Sequence, residues 1–236
     1  MAKILILDLG TTYVKATLFD QHGTIVALDR VAPPIVYPLP GRWELDAHAF
    51  QQTIRQAIAR LHSQTATGLS DVEAICFSTQ TNSFVLLGGN DQPLTPLILW
   101  PDERATELED QLRSMASADD VSNIAGHPVL SPKLLPAKLL WIQRHQPEVW
   151  RQCRRICLMS DFLTLWLTGQ HATEAGAMAF TALVDIRTCN WWQALCDRFE
   201  LPGRFLPEIA RAGTDIGALR SQIADELRLP RSCRSR

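Results

Sequence analysis

Apolar positions follow two rhythms along this chain, and the rhythms divide it into elements. Ile4 to Leu7 are an uninterrupted apolar run, which predicts a central strand covered on both faces. Tyr13, Val14, Thr17, Leu18 and Phe19 are good strand formers, Asp20-Gln21-His22-Gly23 reads as a hairpin connection, and Thr24 to Arg30 as a third strand. Three sequential antiparallel strands exclude the alternation of strand and helix that opens a dinucleotide-binding fold. The rhythm then lengthens to 3.6 residues: Phe50, Ile54, Ala57, Ile58 and Leu61 share one face of a helix for which Asp46 is a natural N-cap. Val72 to Phe77 returns to strand, and Phe84 to Leu87 resumes it after a polar interruption.

Between and beyond these elements the pattern is looser. Residues 31 to 45 are proline-rich and read as an excursion from the sheet, and Leu94 to Trp100, with Pro93 and Pro96, as an approach to the surface. Leu135, Leu139 and Ile142 form an inner helix face with Pro136 in its first turn, Pro147 starts a short helix, and Arg155 to Leu158 is another strand. Ser160-Asp161 cap a helix through Phe162, Leu165 and Trp166 that closes at Thr168-Gly169. Trp191, Trp192, Leu195 and Phe199 predict one more apolar helix face. The fold class this implies is α/β, with a mixed sheet flanked by helices.

Three polar stretches stand out against this frame. The first follows the opening strand: Asp8, Gly10, Thr11, Thr12 and Lys15 place an acid, a tight turn, two hydroxyls and a cation within eight residues. Gly10 lets backbone amides approach an anion, Lys15 adds positive charge, and Asp8 is placed to hold magnesium directly or through water. The spacing matches neither a P-loop nor a dinucleotide fingerprint, and a plain hairpin turn has the same composition. The second stretch, Ser78 to Ser83 with Gln80, Thr81 and Asn82, lies at a strand's carboxyl end and suits a neutral polyhydroxylated ligand, though a polar strand-to-strand turn reads the same way. In the third, Trp100-Pro101-Asp102-Glu103-Arg104, Asp102 and Arg104 either cap a helix and pair with Glu103 or Glu107, or bind substrate hydroxyls beside Trp100.

Composition narrows the function classes. The 236 residues carry a formal net charge of -2, without the basic excess of a nucleic-acid binder. No apolar run approaches the roughly 20 residues that cross a bilayer. The six cysteines include no Cys-x-x-Cys pair and the start lacks a signal peptide's pattern, so a reduced cytoplasm is the expected compartment. The scattered histidines form no metal cluster.

Taken in order, these stretches resemble the FGGY carbohydrate kinases, and among them the xylulokinase-like branch, over residues 3 to about 228. Asp8 to Lys15 is similar to the family's first phosphate motif, Gly41 to Asp46 to its Gly-Trp-x-Glu-Gln-Asp segment with the Trp moved, and Trp100 to Arg104 to its Trp-x-Asp-x-Arg element. Ser160 to Asp185 resembles the long segment that ends the first lobe. The resemblance implies a ribonuclease-H-like lobe of the actin, Hsp70 and hexokinase type, and a kinase that uses ATP and Mg2+. It places Gly10, Thr11, Thr12 and Lys15 near the terminal phosphates, Asp8 near the metal, and Gln80, Thr81, Asn82, Asp102 and Arg104 near a sugar or polyol. Thr81 and Asn82 stand where xylulokinases carry Met-His.

The resemblance also implies what this stretch omits. The family's general base, an Asp in a Gly-Gly-Asp-type motif, and the nucleotide-binding second lobe lie beyond Arg236, so residues 1–228 are expected to be the first lobe. Residues 229–236 are expected to be an irregular basic tail left by a cut or frame-shifted chain. Little turnover is expected of such a lobe alone, with self-association through its exposed cleft face. The runner-up is a non-catalytic sugar- or partner-binding lobe.

Overall fold

The computed structural model describes residues 2–65 and 68–235. Its larger sheet opens as the sequence predicts: β1 (Lys3–Leu9) pairs antiparallel with β2 (Val14–Asp20), and β2 antiparallel with β3 (Ile25–Val31). The short strand β4 (Glu44–Leu45) and the helix α1 (Ala47–Gln64) follow, with Asp46 Oδ1 accepting from Ala49 N at 2.8 Å as the N-cap. The chain then returns as β5 (Val72–Thr79), parallel to β1 on its other side. The order is completed beyond β5 by a strand at Arg234–Ser235, parallel to β5, and by Gly217–Ala218 at the edge.

Crossovers between parallel strands are right-handed, and here both major ones move in the same direction along the sheet, from β3 to β5 and from β5 to Arg234–Ser235. Their helices therefore land on one face. Phe50, Ile54 and Ile58 of α1, Leu163 and Leu167 of the helix Met159–Thr168, and Ile223 and Leu227 of the helix Ser221–Leu227 all join Leu5, Leu7 and Leu9 in one core. The opposite face carries no such layer among the described residues: Ile4 is 40% and Leu28 47% exposed. The continuous apolar run of β1 thus belongs to a strand covered on one face, not on two.

A second sheet of four strands carries the rest of the chain. Its order is β4, β7 (Leu97–Ile98), β6 (Phe84–Leu87) and β8 (Arg155–Leu158). Both of its faces are buried: Val85, Leu87, Leu97 and Cys157 point into the first core, and Phe84, Leu86, Ile98 and Ile156 into a second core with the helix Leu135–His145. The segment expected to approach the surface is therefore interior from Leu97 to Leu99, and only Trp100 emerges. Prolines 93 and 96 mask so short a strand.

Two further expectations change. The helix near Trp191 begins at Gln193, and Asn190–Trp191 is instead a short strand paired with Val184–Asp185. Residues 229–235 are not an irregular basic tail: Leu229 and Cys233 are buried, Arg234–Ser235 joins the sheet, and the charges are paired, Arg231 with Asp225 and Arg234 with Asp215. Arg236 lies outside the described residues. No described helix is long and apolar enough to cross a membrane.

Candidate functional site

The first two polar stretches meet because β1 and β5 are parallel. Asp8 pairs with Ser78 and Leu9 with Thr79, and Gln80 N donates to Leu9 O at 3.4 Å. Neighbouring strands lie about 4.8 Å apart, so both stretches leave the sheet side by side at its carboxyl end, where open α/β sheets place ligands.

In the turn after β1, Gly10 N donates to Tyr13 O at 3.1 Å, and a Cβ on Gly10 would stand 3.1 Å from that same oxygen. A side chain would crowd this approach, and the glycine's own amide is engaged within the turn rather than offered to an anion. Thr11 and Thr12 make no hydrogen bond among the described residues. Lys15 lies opposite Asp8 across the hairpin, and its Nζ donates to Asp8 Oδ2 at 2.9 Å on the open face of the sheet, with both side chains about half exposed. An ion pair this wet is weak and can exchange partners.

The second stretch forms one side of an open cleft of about 370 Å³ lined by Gln80, Thr81, Asn82, Trp100, Lys133 and Leu134. Gln80 is held from two sides: its Oε1 accepts from Ser83 Oγ at 3.0 Å, and its Nε2 lies 3.7 Å from Met159 Sδ. Trp100 N donates to Ser83 Oγ at 2.9 Å, tying the Trp100 wall to the Gln80 side. Asn82 adopts φ 58°, a left-handed conformation that Asn tolerates. Its Nδ2 donates to Phe180 O at 2.7 Å and its Oδ1 accepts from Leu135 N at 3.0 Å, the first turn of the helix Leu135–His145. Asn82 thus staples three segments and keeps one N–H and one lone pair for a ligand.

Of the third stretch only Trp100 lines the cleft, and Asp102 and Arg104 lie behind it. Asp102 and Arg104, expected to touch substrate or to pair with Glu103 or Glu107, are buried and pair with each other and with Glu44. Arg104 Nε donates to Asp102 Oδ1 at 2.7 Å, its Nη2 donates to Asp102 Oδ2 at 3.0 Å and to Glu44 Oε1 at 2.7 Å, and Trp43 N donates to Asp102 Oδ2 at 2.8 Å. Burial pushes the Asp102 carboxyl up, but the bonds from Arg104 and Trp43 overcome it and hold the group below the usual carboxylate range. Sequence separation hid this arrangement, since Glu44 and Arg104 lie on different motifs. Glu174 and Asp185 are structural as well, bonding to the Gly176 and Ala177 amides and to the Arg187 amide.

Two buried ionisable groups exceed the sequence reading, which passed over Lys138 and took Asp161 only as a helix cap. Lys138 Nζ donates to Leu99 O at 3.0 Å and Trp100 O at 2.9 Å, and burial pushes the amine down to about 7. Its signal was a lysine inside an apolar helix face, three residues after Leu135. Asp161 is fully buried at the start of the helix Met159–Thr168, accepts from Leu158 N at 2.8 Å, and is pushed up to about 7 by that burial. It is the third helical residue reaching back to the amide before the helix.

The turn fits phosphates better than it fits a protein-held metal. Among the described residues no three His, Cys, Asp or Glu side chains gather to hold a cation. Asp8 stands with Lys15 beside the close-packed Gly10, a donor set suited to Mg2+ held mostly by phosphates and water.

Residues 3–232 match the family model described as the N-terminal domain of the FGGY family of carbohydrate kinases. A xylulose kinase of Lactococcus lactis subsp. lactis is 32% identical over 97% of this chain and 45% of the relative, and one of Escherichia coli is 31% identical over 92% and 44%. The solved structure of a xyloylose kinase from Brucella ovis superposes with a TM-score of 0.91 at 29% identity, over 99% of this chain and 47% of that one. The chain spans about half the length of the curated relatives it matches. The mixed sheet of three antiparallel strands followed by parallel ones is the ribonuclease-H-like arrangement of these kinases. The chain belongs to the FGGY family of carbohydrate kinases, whose N-terminal domain it comprises.

Proposed function

We propose that this chain is the first lobe of an ATP-dependent carbohydrate kinase, with a pentulose or related polyol in the cleft between Gln80 and Trp100 and the outer phosphates of ATP at the turn from Gly10 to Lys15. The observation that carries the reading is the pairing of Asp8 with Ser78 and Leu9 with Thr79, which sets the anion-suited turn beside the polyol-suited cleft.

Phosphoryl transfer asks the protein for positioning and charge stabilisation more than for covalent chemistry. The Gln80 amide and the remaining donor and acceptor of Asn82 orient ligand hydroxyls, while the Trp100 ring covers the apolar C–H face of the sugar. Lys15 leaves Asp8 for a phosphate oxygen, and Thr11 and Thr12 offer their amides and hydroxyls to the same group. Asp102, Arg104 and Glu44 fix the backbone that carries Trp100 and do not touch the ligand. Magnesium, when bound, neutralises phosphate charge, and Asp8 is the carboxylate placed to hold it through water.

The cleft lining contains no carboxylate or imidazole, so an attacking hydroxyl has no proton acceptor there. General base catalysis contributes about 10²–10⁴-fold, and its absence supports little or no turnover by this chain alone. Its exposed cleft face, with Trp100 and Phe180 outward, favours self-association, which light scattering measures. Calorimetry of the purified chain with D-xylulose, with and without Mg-ATP, tests the binding reading, and a coupled ADP-release assay tests turnover. Sugar binding without turnover is expected; appreciable turnover overturns the inactive-lobe reading, and no binding of any pentulose or polyol overturns the cleft assignment.

A further inference from the structure

Lys138 is an ammonium set into an apolar helix face. It lies between Ala137 and Leu139 in the helix Leu135–His145, with no solvent exposure. Its two acceptors, Leu99 O and Trp100 O, belong to the segment that carries the chain out of β7 to the exposed Trp100 ring. The Leu99–Trp100 peptide is also fixed through its N–H, which reaches Ser83 Oγ, and Ser83 in turn donates to Gln80 Oε1. The wall of the cleft is therefore held on one side by the Gln80 loop and on the other by Lys138.

The charged groups around Lys138 are Asp102 and Arg104 from the loop above it and Lys133 from the lead into its own helix; beyond them Glu44 pairs with Arg104, and Arg42 feels the charges of Arg104, Asp102 and Glu44. Both carboxylate oxygens of Asp102 already accept from Trp43 and Arg104. The hydrogen bonding of the ammonium thus falls to the two backbone carbonyls, which are acceptors but not counter-ions.

We propose that Lys138 is a positioning residue of the cleft: its ammonium clamps the Leu99 and Trp100 carbonyls, fixes the Trp100 wall opposite Gln80, and loosens that wall when its proton leaves. A neutral amine keeps two N–H donors for the two carbonyls, but hydrogen bonds without charge are about half as strong, so the hold on the wall weakens. Burial sets the transition near 7. The contacts of the clamp stand on the geometry and its pH response on the lowered pKa of the buried amine; its effect on sugar affinity rests on the proposed function.

The test separates the two. The emission of Trp100, taken as the difference between the chain and its Trp100→Phe variant, is followed across pH without ligand. A transition with midpoint about 7 is expected, and it disappears in Lys138→Met, which retains Asp161 and the histidines. The chain has four lysines, Lys3, Lys15, Lys133 and Lys138, so isotope-edited spectra of their Cε carbons read the proton directly in the unaltered chain. One lysine titrating near 7 supports the clamp; four titrating together near 10, or a flat Trp100 signal, overturns it. D-xylulose affinity falls several-fold as pH rises through that transition in the unaltered chain and is independent of pH in Lys138→Met; affinity that ignores pH in the unaltered chain overturns the proposal. A Trp100 transition with no sugar binding at any pH supports the clamp and overturns the cleft reading alone.

Discussion

Two ion pairs of this molecule use the same chemistry and do opposite work. Lys15 and Asp8 pair at 2.9 Å on the open face of the sheet, each about half exposed. Arg104 and Asp102 pair at 2.7 Å with side-chain exposures of 3% and 0%. A wet pair contributes about 0–1 kcal/mol, because water competes for both ions. Removing one partner of a buried pair costs about 3–5 kcal/mol, because the other charge is left without solvent or counter-ion. The exposed pair can give up its partner to a phosphate at little cost, whereas the buried pair holds its shape. Charged residues in two motifs of one family thus divide, on the proposed function, into a pair free to handle ligand and a pair that serves as scaffold, and burial separates them.

The sharpest way to break this contrast is to remove Arg104. Arg104→Ala strands Asp102 beneath the cleft and is expected to lower stability by about 3–5 kcal/mol in urea unfolding. A loss below about 1 kcal/mol would mean that Asp102 finds water, and the scaffold reading would fail.

Next in size is the pH dependence set by the two other buried ions. Asp161 has a folded pKa of about 7, above its unfolded value, so its stabilising contribution is present below about 4 and is lost as pH rises through 7. Lys138 has a folded pKa of about 7, below its unfolded value, so stability rises from pH 7 towards about 10 as the folded state sheds a proton that the unfolded chain keeps. Each slope is about 1.4 kcal/mol per pH unit, and together they put a minimum near neutrality. Asp161→Asn removes the falling limb and Lys138→Met the rising one; urea midpoints across pH check both.

Asn82→Ala is smaller. It removes the bonds to Phe180 and Leu135 and leaves alanine at a positive φ, for an expected loss of about 1–3 kcal/mol with weakened sugar binding. Smallest in stability is Lys15→Ala, expected within about 0.5 kcal/mol of the unaltered chain while pyrophosphate affinity falls.

The elements with strong periodicity were readable from the sequence, because α1 and the opening hairpins satisfy local rules: the apolar face from Phe50 to Leu61 is buried as expected and Asp46 caps it. What escaped was set by distance along the chain. Glu44 meets Arg104 only once β4 and β7 pair, and Lys138 meets Trp100 only once the helix Leu135–His145 packs beneath the second sheet. The strand at Arg234–Ser235 escaped for another reason: two residues beside arginines carry no period, and only the edge of β5 gives them a place. Cleft-lining and buried polar residues look alike in sequence, so Asp102 and Arg104 were read with Gln80 and Asn82 until burial separated them.

The central claim is that the turn after β1 and the loop after β5 form one site at one end of the sheet. Amide chemical shifts of the isotope-labelled chain, titrated first with Mg-pyrophosphate and then with D-xylulose, test it directly. The account predicts that pyrophosphate moves the amides of Thr11, Thr12 and Lys15, that the sugar moves those of Gln80 to Asn82 and Trp100, and that each ligand also perturbs Leu9 and Gln80, where the stretches touch. Pyrophosphate shifts confined to residues away from the turn, or sugar shifts on the helix-covered side of the sheet, would contradict it.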